Sequence, residues 1–455
     1  MNLFGQTLNR IGSRSGQSGV SRATFYDTVT GQTFIPKGFN YVLPQQFTSN
    51  FSASAIDSDL AAMAAVGTNL VRVIVYVDDD AGPCGGSCNG GRQSPTSPIS
   101  GYTCGPFQNS ACDSGGRLNS AYMDHFAYFL SRARAYGIYV TVANDIWLPT
   151  TYYAYWSARW PLDGGPGDTL DPQTFSQPTA VAFSDNRSYL NYSAIEAKKL
   201  YLSDFIAEIN WRGEPLSTIF SFGLPSEILL QIDLHPFIDT SGLITTADGV
   251  QYNMGIGSDR HQAADANFVH WATQLASAVK GADPYAMVGV DVQGEWAGPG
   301  VAIPSTPRAQ MTLPDVHSWN LYPRSIIMQL YASFIINYLD FHMYINPALY
   351  GTRTPYYMDD YLNSAHSEFY ELDLSVMPVL AGEFGVGRDY VNPAYDTLVA
   401  HLNGLLCRGF AGGLLWTWNW TSQDDGVWKT GVEVEGGNTI GWYLNQYVNY
   451  GNPCS

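Results

Sequence analysis

The sequence predicts a (β/α)8 or TIM barrel, an α/β fold in which eight parallel strands close on themselves inside a ring of helices. Short apolar runs alternate with segments of helical periodicity along the chain, as repeated β-α units do. The apolar runs number eight, which is the count of a closed barrel. Long insertions follow mainly the predicted strands, so these loops are expected to share the carboxyl-terminal face of the barrel.

Glycine stops and apolar spacing place the individual elements. Gly67 ends the first helical segment and Gly137 ends the second, and an apolar run follows each of them. The predicted strands cover residues 38–43, 69–76, 138–143, 218–227, 286–292, 316–322, 378–385 and 412–418. The predicted helices cover residues 56–66, 122–136, 194–211, 263–280 and 395–407.

The chain of 455 residues is predicted to form a single domain, because neither an internal repeat nor a linker divides it. The barrel core spans about 38–420, and the tail 421–455 is expected to pack on the barrel. Four insertions are long enough to build the walls of a groove, at 78–119, 146–193, 228–262 and 293–314.

The charge of the chain excludes two classes of partner. A net charge of −18 leaves no basic surplus to neutralise the phosphates of a nucleic acid or to bind an anionic membrane surface. Charged residues make up only 14% of the chain, and no apolar stretch is long enough to span a bilayer. Thirty tyrosines and twelve tryptophans suit stacking on the rings of a neutral sugar polymer, although most of them are expected to fill the core.

Six cysteines divide into a loop cluster and a distant pair. The cluster holds Cys84, Cys88, Cys104 and Cys112, and the pair is Cys407 and Cys454. An even count favours disulfides, with the pair joining the tail to the last barrel unit. Zinc is the alternative for the cluster, but its spacings do not match the tight ligand pairs of structural zinc sites.

Four Asn-X-Ser/Thr tripeptides also favour an extracellular or cell-surface setting, and they begin at Asn50, Asn186, Asn191 and Asn419. Residues 1–10 lack the apolar region of a secretory signal. Either the numbering begins after a removed leader or export uses another route.

Two carboxylates stand at the ends of buried runs. Glu383 ends the seventh predicted strand between two glycines, and Glu227 ends the fourth. The carboxyl-terminal ends of barrel strands share one rim, so the two acids are expected to face each other across it. A pair of carboxylates about 5–5.5 Å apart is the machinery of a retaining glycosidase. Glu295, after the fifth strand, competes with Glu227 for the acid/base role.

Several phrases give the chain a resemblance to the clan A retaining glycoside hydrolases, above all to family 5, the cellulase and mannanase family. Gly382-Glu-Phe-Gly385 matches the family motif that contains the nucleophile, and Asn69-Leu-Val-Arg72 matches the family motif of the second strand. Val316-His-Ser-Trp-Asn-Leu-Tyr322 resembles the strand-six phrase. Trp416 occupies the strand-eight position of a sugar-stacking tryptophan. The phrases Lys37-Gly-Phe-Asn-Tyr41 and Gly412-Gly-Leu414 also resemble the family 72 β-1,3-glucanosyltransferases.

The resemblance implies roles for individual side chains. Glu383 would be the nucleophile, kept ionised by Arg72, whose alternative role is a salt bridge at the edge of the core. Glu227 would be the acid/base, its pKa raised by partial burial and by the field of Glu383. Tyr322 would orient Glu383, unless it only packs, and the strand-six histidine is either His317 or absent.

Other residues are assigned to the sugar. Trp416 is the predicted platform, because Trp418 lies two positions along and only one of the two is expected to face the mouth. Asn144, Asp145 and Trp147 end the third strand and are expected to line the glycone side.

One departure from the family phrase affects the acid/base. The family reads Asn-Glu-Pro there, whereas this chain has Ser226-Glu227-Ile228. Since the asparagine binds the sugar 2-hydroxyl, either another group replaces it or activity is weakened.

The sequence therefore predicts a retaining β-glycosidase that acts on a neutral β-linked glucan or mannan, by hydrolysis or by transglycosylation. No cofactor is expected, since two carboxylates and a bound sugar complete the chemistry. No metal is expected either, because an acidic run such as Asp78-Asp-Asp80 is usually solvated and not bound to calcium. Two alternatives remain. One is a barrel that has lost catalysis and serves as a self-associating filament, sheath or glycan-binding protein. The weaker one is a non-glycosidase barrel enzyme, for which no metal or phosphate motif is found.

Overall fold

The structure is a computed structural model. It describes residues 7–17, 20–41, 51–75, 118, 120–144, 190–224, 242–253, 256–293, 324–345, 375–386, 405, 409–416 and 418.

Within those ranges the chain forms strands and helices that we number in chain order. The strands are β1 (Ile11–Arg14), β2 (Thr24–Asp27), β3 (Thr33–Phe34), β4 (Lys37–Asn40), β5 (Leu70–Val75), β6 (Tyr139–Asn144), β7 (Ile219–Gly223), β8 (Leu243–Thr245), β9 (Gln251–Asn253), β10 (Val288–Gln293), β11 (Tyr338–Ile345), β12 (Val379–Val386) and β13 (Gly412–Leu415). The helices are α1 (Ala53–Ala65), α2 (Ser120–Ala135), α3 (Tyr192–Trp211), α4 (Gly257–Ala282) and α5 (Arg324–Ala332), with a short 3-10 helix at Leu216–Thr218.

Eight of the strands form a closed parallel barrel. Its order around the ring is β4-β5-β6-β7-β10-β11-β12-β13, and β13 pairs with β4 to close it. Every one of these eight pairings is parallel. The predicted (β/α)8 fold is thus confirmed, and the strands follow their order in the chain.

Predicted and observed strands overlap at seven of the eight barrel positions, but the sixth prediction was wrong. The strand between β10 and β12 is Tyr338–Ile345, whereas residues 316–322 lie outside the described residues. The physical reason is that β11 carries Asp340 and His342 at alternate positions, so it does not read as an apolar run. Both side chains are fully buried in the barrel.

Alternation along each strand separates the two sides of the barrel wall. In β5 the side chains of Val71, Val73 and Val75 belong to the large apolar core that includes the helices, while Leu70 belongs to a separate cluster inside the barrel. The period of two then directs Arg72 into the barrel as well. A charged residue in a buried strand therefore lies on the inner face.

A small sheet covers the amino-terminal end of the barrel. Strands β1, β2 and β3 pair antiparallel, and Phe25 of β2 is fully buried. Its ring lies edge-on to Phe220 at 4.9 Å and to Tyr338 at 5.5 Å between centroids. Phe34 of β3 meets Tyr139 in the same way, at 5.1 Å. This aromatic plug closes the barrel floor with apolar contacts.

Asn191 begins α3 and is not available as a glycan acceptor. Its side-chain oxygen accepts a hydrogen bond from the backbone N–H of Ala194 at 2.9 Å, and the residue is fully buried. This is the arrangement of a helix N-cap. The prediction of a glycosylation site at Asn191 was therefore wrong.

Several other predictions concern residues outside the described ranges and stay predictions. They include all six cysteines, Asn50, Asn186, Asn419, the acidic run 78–80, most of the predicted helix 395–407 and the tail 421–455. None of the helices in the described part of the chain is both long and apolar enough to cross a membrane.

The close approach of β10 and β11 generates a stability prediction. A Cβ at Gly289 would lie 2.4 Å from the ring of Tyr338, which is buried and held through its hydroxyl at 2.8 Å from Ser221 Oγ. We expect Gly289→Ala to lower the free energy of unfolding by about 1–3 kcal/mol, because the ring cannot move without breaking that packing. Denaturant unfolding measures the change.

Gly281→Ala is the matched control. Gly281 lies near the end of α4, and an added Cβ there would meet no atom within 4 Å. The substitution should be neutral or should stabilise by up to about 1 kcal/mol, since alanine favours a helix over glycine. Equal effects of the two substitutions would contradict the packing explanation.

Candidate active site

A bulge in β12 presents Glu383 to the barrel interior. Leu380 pairs with Asp340 and Glu383 with His342, so three residues of β12 face two of β11, and the pairing with β13 shows the same extra residue. Ala381 and Phe384 both belong to the outer core although they are three positions apart. The bulge thus leaves Gly382 and Glu383 on the inner side, and such bulges recur beside active sites.

Gly382 is required where the bulge passes β11. A Cβ at this position would lie 1.7 Å from Asp340 Oδ1, so no other residue fits without moving that carboxylate. The carbonyl of Gly382 accepts a hydrogen bond from Asn40 Nδ2 at 2.8 Å. The backbone beside Glu383 is therefore held by the first barrel strand.

Arg72 joins four barrel strands through one guanidinium. Its Nη1 donates to Glu383 Oε1 at 2.5 Å and to Asn40 Oδ1 at 3.0 Å. Its Nη2 donates to Asp291 Oδ2 at 2.8 Å, and its Nε lies 3.8 Å from Asp340 Oδ2. The side chain is fully buried, so these ion pairs replace the water that the cation has lost.

His342 lies between two of the acids. Its Nδ1 is 3.6 Å from Glu383 Oε1 and its Nε2 is 3.9 Å from Asp340 Oδ1. The ring is fully buried, and Glu383 retains only 5% side-chain exposure. The imidazole therefore separates the carboxylate at the strand end from the carboxylates deeper in the barrel.

The pKa values of Arg72 and Asp340 are both raised, which keeps the arginine charged and favours the neutral form of the aspartate. Burial alone would lower the pKa of Arg72, but Glu383, Asp291 and Asp340 raise it above its usual value, so the guanidinium stays charged. Burial raises the pKa of Asp340 to about 7, and the charge of Asp291 adds to this rise against His342 and Arg72. Asp340 therefore takes up a proton more readily than an ordinary aspartate does.

The structure brings together two of the predicted site residues, Glu383 and Arg72. Trp416 is partly buried after β13, and its backbone N–H donates to the carbonyl of Phe384 at 2.9 Å. Trp418 is buried against Phe39 at 5.0 Å, with its indole N–H donating to Asp59 of α1. The role of Trp416 as a sugar platform stays a prediction.

The remaining predicted site residues are not placed. Asn144 ends β6, but its side chain lies outside the description. Outside the described residues lie Glu227, its neighbour Ser226, the rival acid Glu295, and also Asp145, Trp147, His317 and Tyr322. The strand-six assignment that suggested His317 and Tyr322 was wrong, and the barrel supplies His342 from the true sixth strand.

Four residues of the site were missed from the sequence: Asn40, Asp291, Asp340 and His342. A usable signal existed for the last three. Each is a polar or charged residue flanked by apolar neighbours within a short buried run. If such a run forms a barrel strand, the apolar neighbours face the helices and the polar side chain points into the barrel. One potential ligand atom from each of Asp291, Asp340 and His342, a carboxylate oxygen or a ring nitrogen, lies within 4.8 Å of the other two.

The comparison with known proteins rests on structure alone. No protein-family model matches the sequence, and no curated protein is similar to it. Solved structures do match. An endo-β-1,4-mannanase from Thermotoga petrophila covers 92% of this chain and 77% of its own, with a TM-score of 0.53 and 15% identity.

Two proteins from Rhizomucor miehei are similar over almost their whole length. Its endo-1,4-β-mannanase has a TM-score of 0.54 and 14% identity, covering 97% of this chain and 99% of its own. Its glycoside hydrolase family 5 mannosidase has a TM-score of 0.52 and 14% identity, covering 96% of each chain. The barrel therefore has the fold of the clan A, family 5 glycoside hydrolases.

The buried ion pairs of Arg72 generate a second stability prediction. Arg72→Met removes the guanidinium that pairs with Asp291, Asp340 and Glu383, and no other arginine or lysine among the described residues pairs with these three acids. We expect the free energy of unfolding to fall by about 3–5 kcal/mol, measured by denaturant unfolding. Arg72→Lys should recover only part of this loss, since one ammonium cannot replace the planar fork.

Arg132→Met is the control. Arg132 pairs with Asp57 at the surface, where the two side chains are 17% and 36% exposed. Its loss should cost about 1 kcal/mol or less, because solvent screens such pairs. If Arg72→Met were no more harmful than Arg132→Met, Arg72 would not be the organising charge of the site.

Proposed function

We propose that this protein is a retaining β-glycosidase that acts on a neutral β-linked polysaccharide, with Glu383 as its nucleophile. The observation that carries the proposal is the carboxylate of Glu383, held by Arg72 in the carboxyl-terminal half of the seventh barrel strand. That end of a barrel is where active sites are built. The fold of family 5 glycoside hydrolases supports the same reaction class.

The first step forms a glycosyl ester. The Glu383 carboxylate attacks the anomeric carbon while the bond to the leaving oxygen breaks, and a second carboxyl group donates a proton to that oxygen. We assign this acid to Glu227, since the sequence places it just after the fourth strand. In the second step Glu227 removes a proton from water or from a sugar hydroxyl, which displaces Glu383 and restores the enzyme.

Arg72 explains why Glu383 can act as a nucleophile. A buried carboxyl group favours its neutral form unless a cation lies nearby. The guanidinium contacts Glu383 Oε1 and is itself kept in place by Asn40 and Asp291. The carboxylate therefore stays ionised and oriented, and no reorganisation is needed when the bond to sugar forms.

We propose β-1,4-mannan as the first substrate to test, with β-glucan as the second. Two similar structures are β-mannanases and a third is a mannosidase. A neutral polymer suits a chain of net charge −18, since an acidic polysaccharide would be repelled. The setting we propose is extracellular, where such polymers occur.

Removal of the nucleophile tests the proposal. Glu383→Gln should lower the hydrolysis of mannan or glucan by on the order of 10³-fold or more, because the glutamine amide cannot form the glycosyl ester. A reducing-sugar assay measures this loss. In the unmodified protein, a 2-deoxy-2-fluoro glycoside should add one sugar to the peptide that contains Glu383, detected by mass spectrometry.

Glu214→Gln is the control for Glu383→Gln. Glu214 is also partly buried and lies 3.6 Å from Arg134, but it precedes β7 and so lies at the other end of the barrel. The Glu214→Gln variant should hydrolyse mannan or glucan at the same rate as the unmodified protein. A folded, unmodified protein that hydrolyses none of these polymers but assembles into filaments or binds glycan would favour the non-catalytic alternative instead.

The acid/base assignment has its own test. Glu227→Gln should slow hydrolysis of the polysaccharide by about 10²–10⁴-fold, because the leaving oxygen is no longer protonated. Ester formation from a dinitrophenyl glycoside should persist, since that leaving group needs no proton, and azide should restore turnover. If Glu295→Gln shows this pattern and Glu227→Gln does not, the acid/base role belongs to Glu295.

A further inference from the structure

The described residues place more negative than positive charge around Arg72. Asp291, Asp340 and Glu383 lie around its guanidinium, so three carboxylates face one arginine in this part of the structure, and two negative charges remain among these groups when His342 is neutral. His342 adds a positive charge only if it is protonated. All of these side chains are almost fully buried, where an uncompensated charge is costly.

Carboxylate oxygens without a hydrogen-bond donor indicate where a positively charged group would bind. Asp291 Oδ1 and both carboxylate oxygens of Asp340 are buried and accept no hydrogen bond from the described residues. Asp291 and Asp340 occupy paired positions on the adjacent strands β10 and β11. Buried carboxylate oxygens nearly always have partners, so a group that binds both acids is implied.

The ligand atoms converge from two strands. One atom each from Asp291, Asp340 and His342 lies within 4.8 Å of the other two. Glycines border the two carboxylates: a Cβ at Gly382 would lie 1.7 Å from Asp340 Oδ1, and a Cβ at Gly223 would lie 3.2 Å from Asp291 Oδ1. Side chains at these two positions would crowd the space around the acids.

We propose that Asp291, Asp340 and His342 bind a divalent transition-metal ion of the Zn²⁺ type inside the barrel, beneath Glu383. Two carboxylates and one imidazole are a donor set that suits such ions. Ca²⁺ requires six to eight oxygen ligands. A small ion of low coordination number therefore fits this set better.

The orientation of His342 agrees with this site. A metal-binding histidine usually donates its second ring N–H to a carboxylate. Here Nε2 faces Asp340, on the side of the proposed ion, and Nδ1 lies 3.6 Å from Glu383 Oε1. The imidazole would thus connect the ion with the candidate nucleophile.

A metal ion accounts for the site better than a single proton does. With His342 neutral, one proton on Asp340 would leave one excess negative charge among these groups, and it would satisfy only one of the three unpartnered oxygens. A divalent ion balances both charges and binds both acids at once.

The proposed ion would have a structural role. It would fix Asp291 and Asp340, which in turn hold Arg72, and it would orient His342 beside Glu383. The site does not depend on Glu383 being a nucleophile, so the metal proposal stands or falls separately from the glycosidase proposal.

Metal analysis of the full chain tests the site. Protein purified without chelator should contain about one zinc or similar ion per chain, measured by mass spectrometry of the elements. After chelator treatment, Zn²⁺ at about one hundred times its Kd should raise Tm by about 3 °C. Asp291→Asn and Asp340→Asn should each weaken Zn²⁺ binding by at least about 100-fold in calorimetric titration.

Asp283→Asn is the matched control. Asp283 is also a buried acid in an ion pair, 2.7 Å from Arg10 Nη1, but it follows α4 and belongs to neither β10 nor β11. Its substitution should leave Zn²⁺ affinity unchanged. The Asp291→Asn variant could fail to fold, so a second measurement uses the unmodified protein. It is the anomalous-scattering peak that crystals of this protein give at the zinc edge. The peak should lie between Asp291, Asp340 and His342.

Two results would overturn the site. The first is a folded protein that carries no metal and binds neither Zn²⁺, Mn²⁺ nor Co²⁺. The second is an anomalous peak at the cysteine cluster and none in the barrel.

Discussion

The candidate site depends on one buried cation. The guanidinium of Arg72 links Asn40, Asp291 and Glu383 by hydrogen bonds, and these residues belong to strands that are far apart in the chain. Burying an arginine is unfavourable unless its donors find anions. The barrel therefore has to bring its acids to one place, and any strand register that failed to do so would leave charges without partners.

The backbone is adapted to the same requirement. A regular β12 would turn Glu383 towards the helices, because Ala381 already packs there and side chains alternate. The bulge adds one residue, keeps Phe384 in the outer core and leaves Glu383 inside. Glycine at 382 is what allows the bulge to pass Asp340. Packing on one side of the strand and charge on the other are thus both satisfied by a local irregularity.

The two ends of the barrel interior have different properties. At the floor, aromatic rings from the amino-terminal sheet meet Phe220 and Tyr338 and exclude water. Above them lies the charged group around Arg72. The hydroxyl of Tyr338 is held at 2.8 Å from Ser221 Oγ. An apolar floor strengthens every electrostatic interaction above it, because the local dielectric is low. That arrangement makes the position of each charge energetically decisive.

The sequence by itself determined the barrel and seven of its eight strands, and the resemblance of its motifs to those of a known family predicted the pair of Arg72 and Glu383. Apolar runs with a period of two and helical segments are local patterns, and each strand delivers its last residues to the same rim. Tertiary structure decided the rest. The sixth strand was misplaced because Asp340 and His342 interrupt its apolar pattern, and only a closed barrel makes those polar side chains internal. Asp291 is 49 positions from Asp340 yet pairs with it across adjacent strands. Charges that are scattered along the chain become one buried group only through strand pairing, which no local pattern contains.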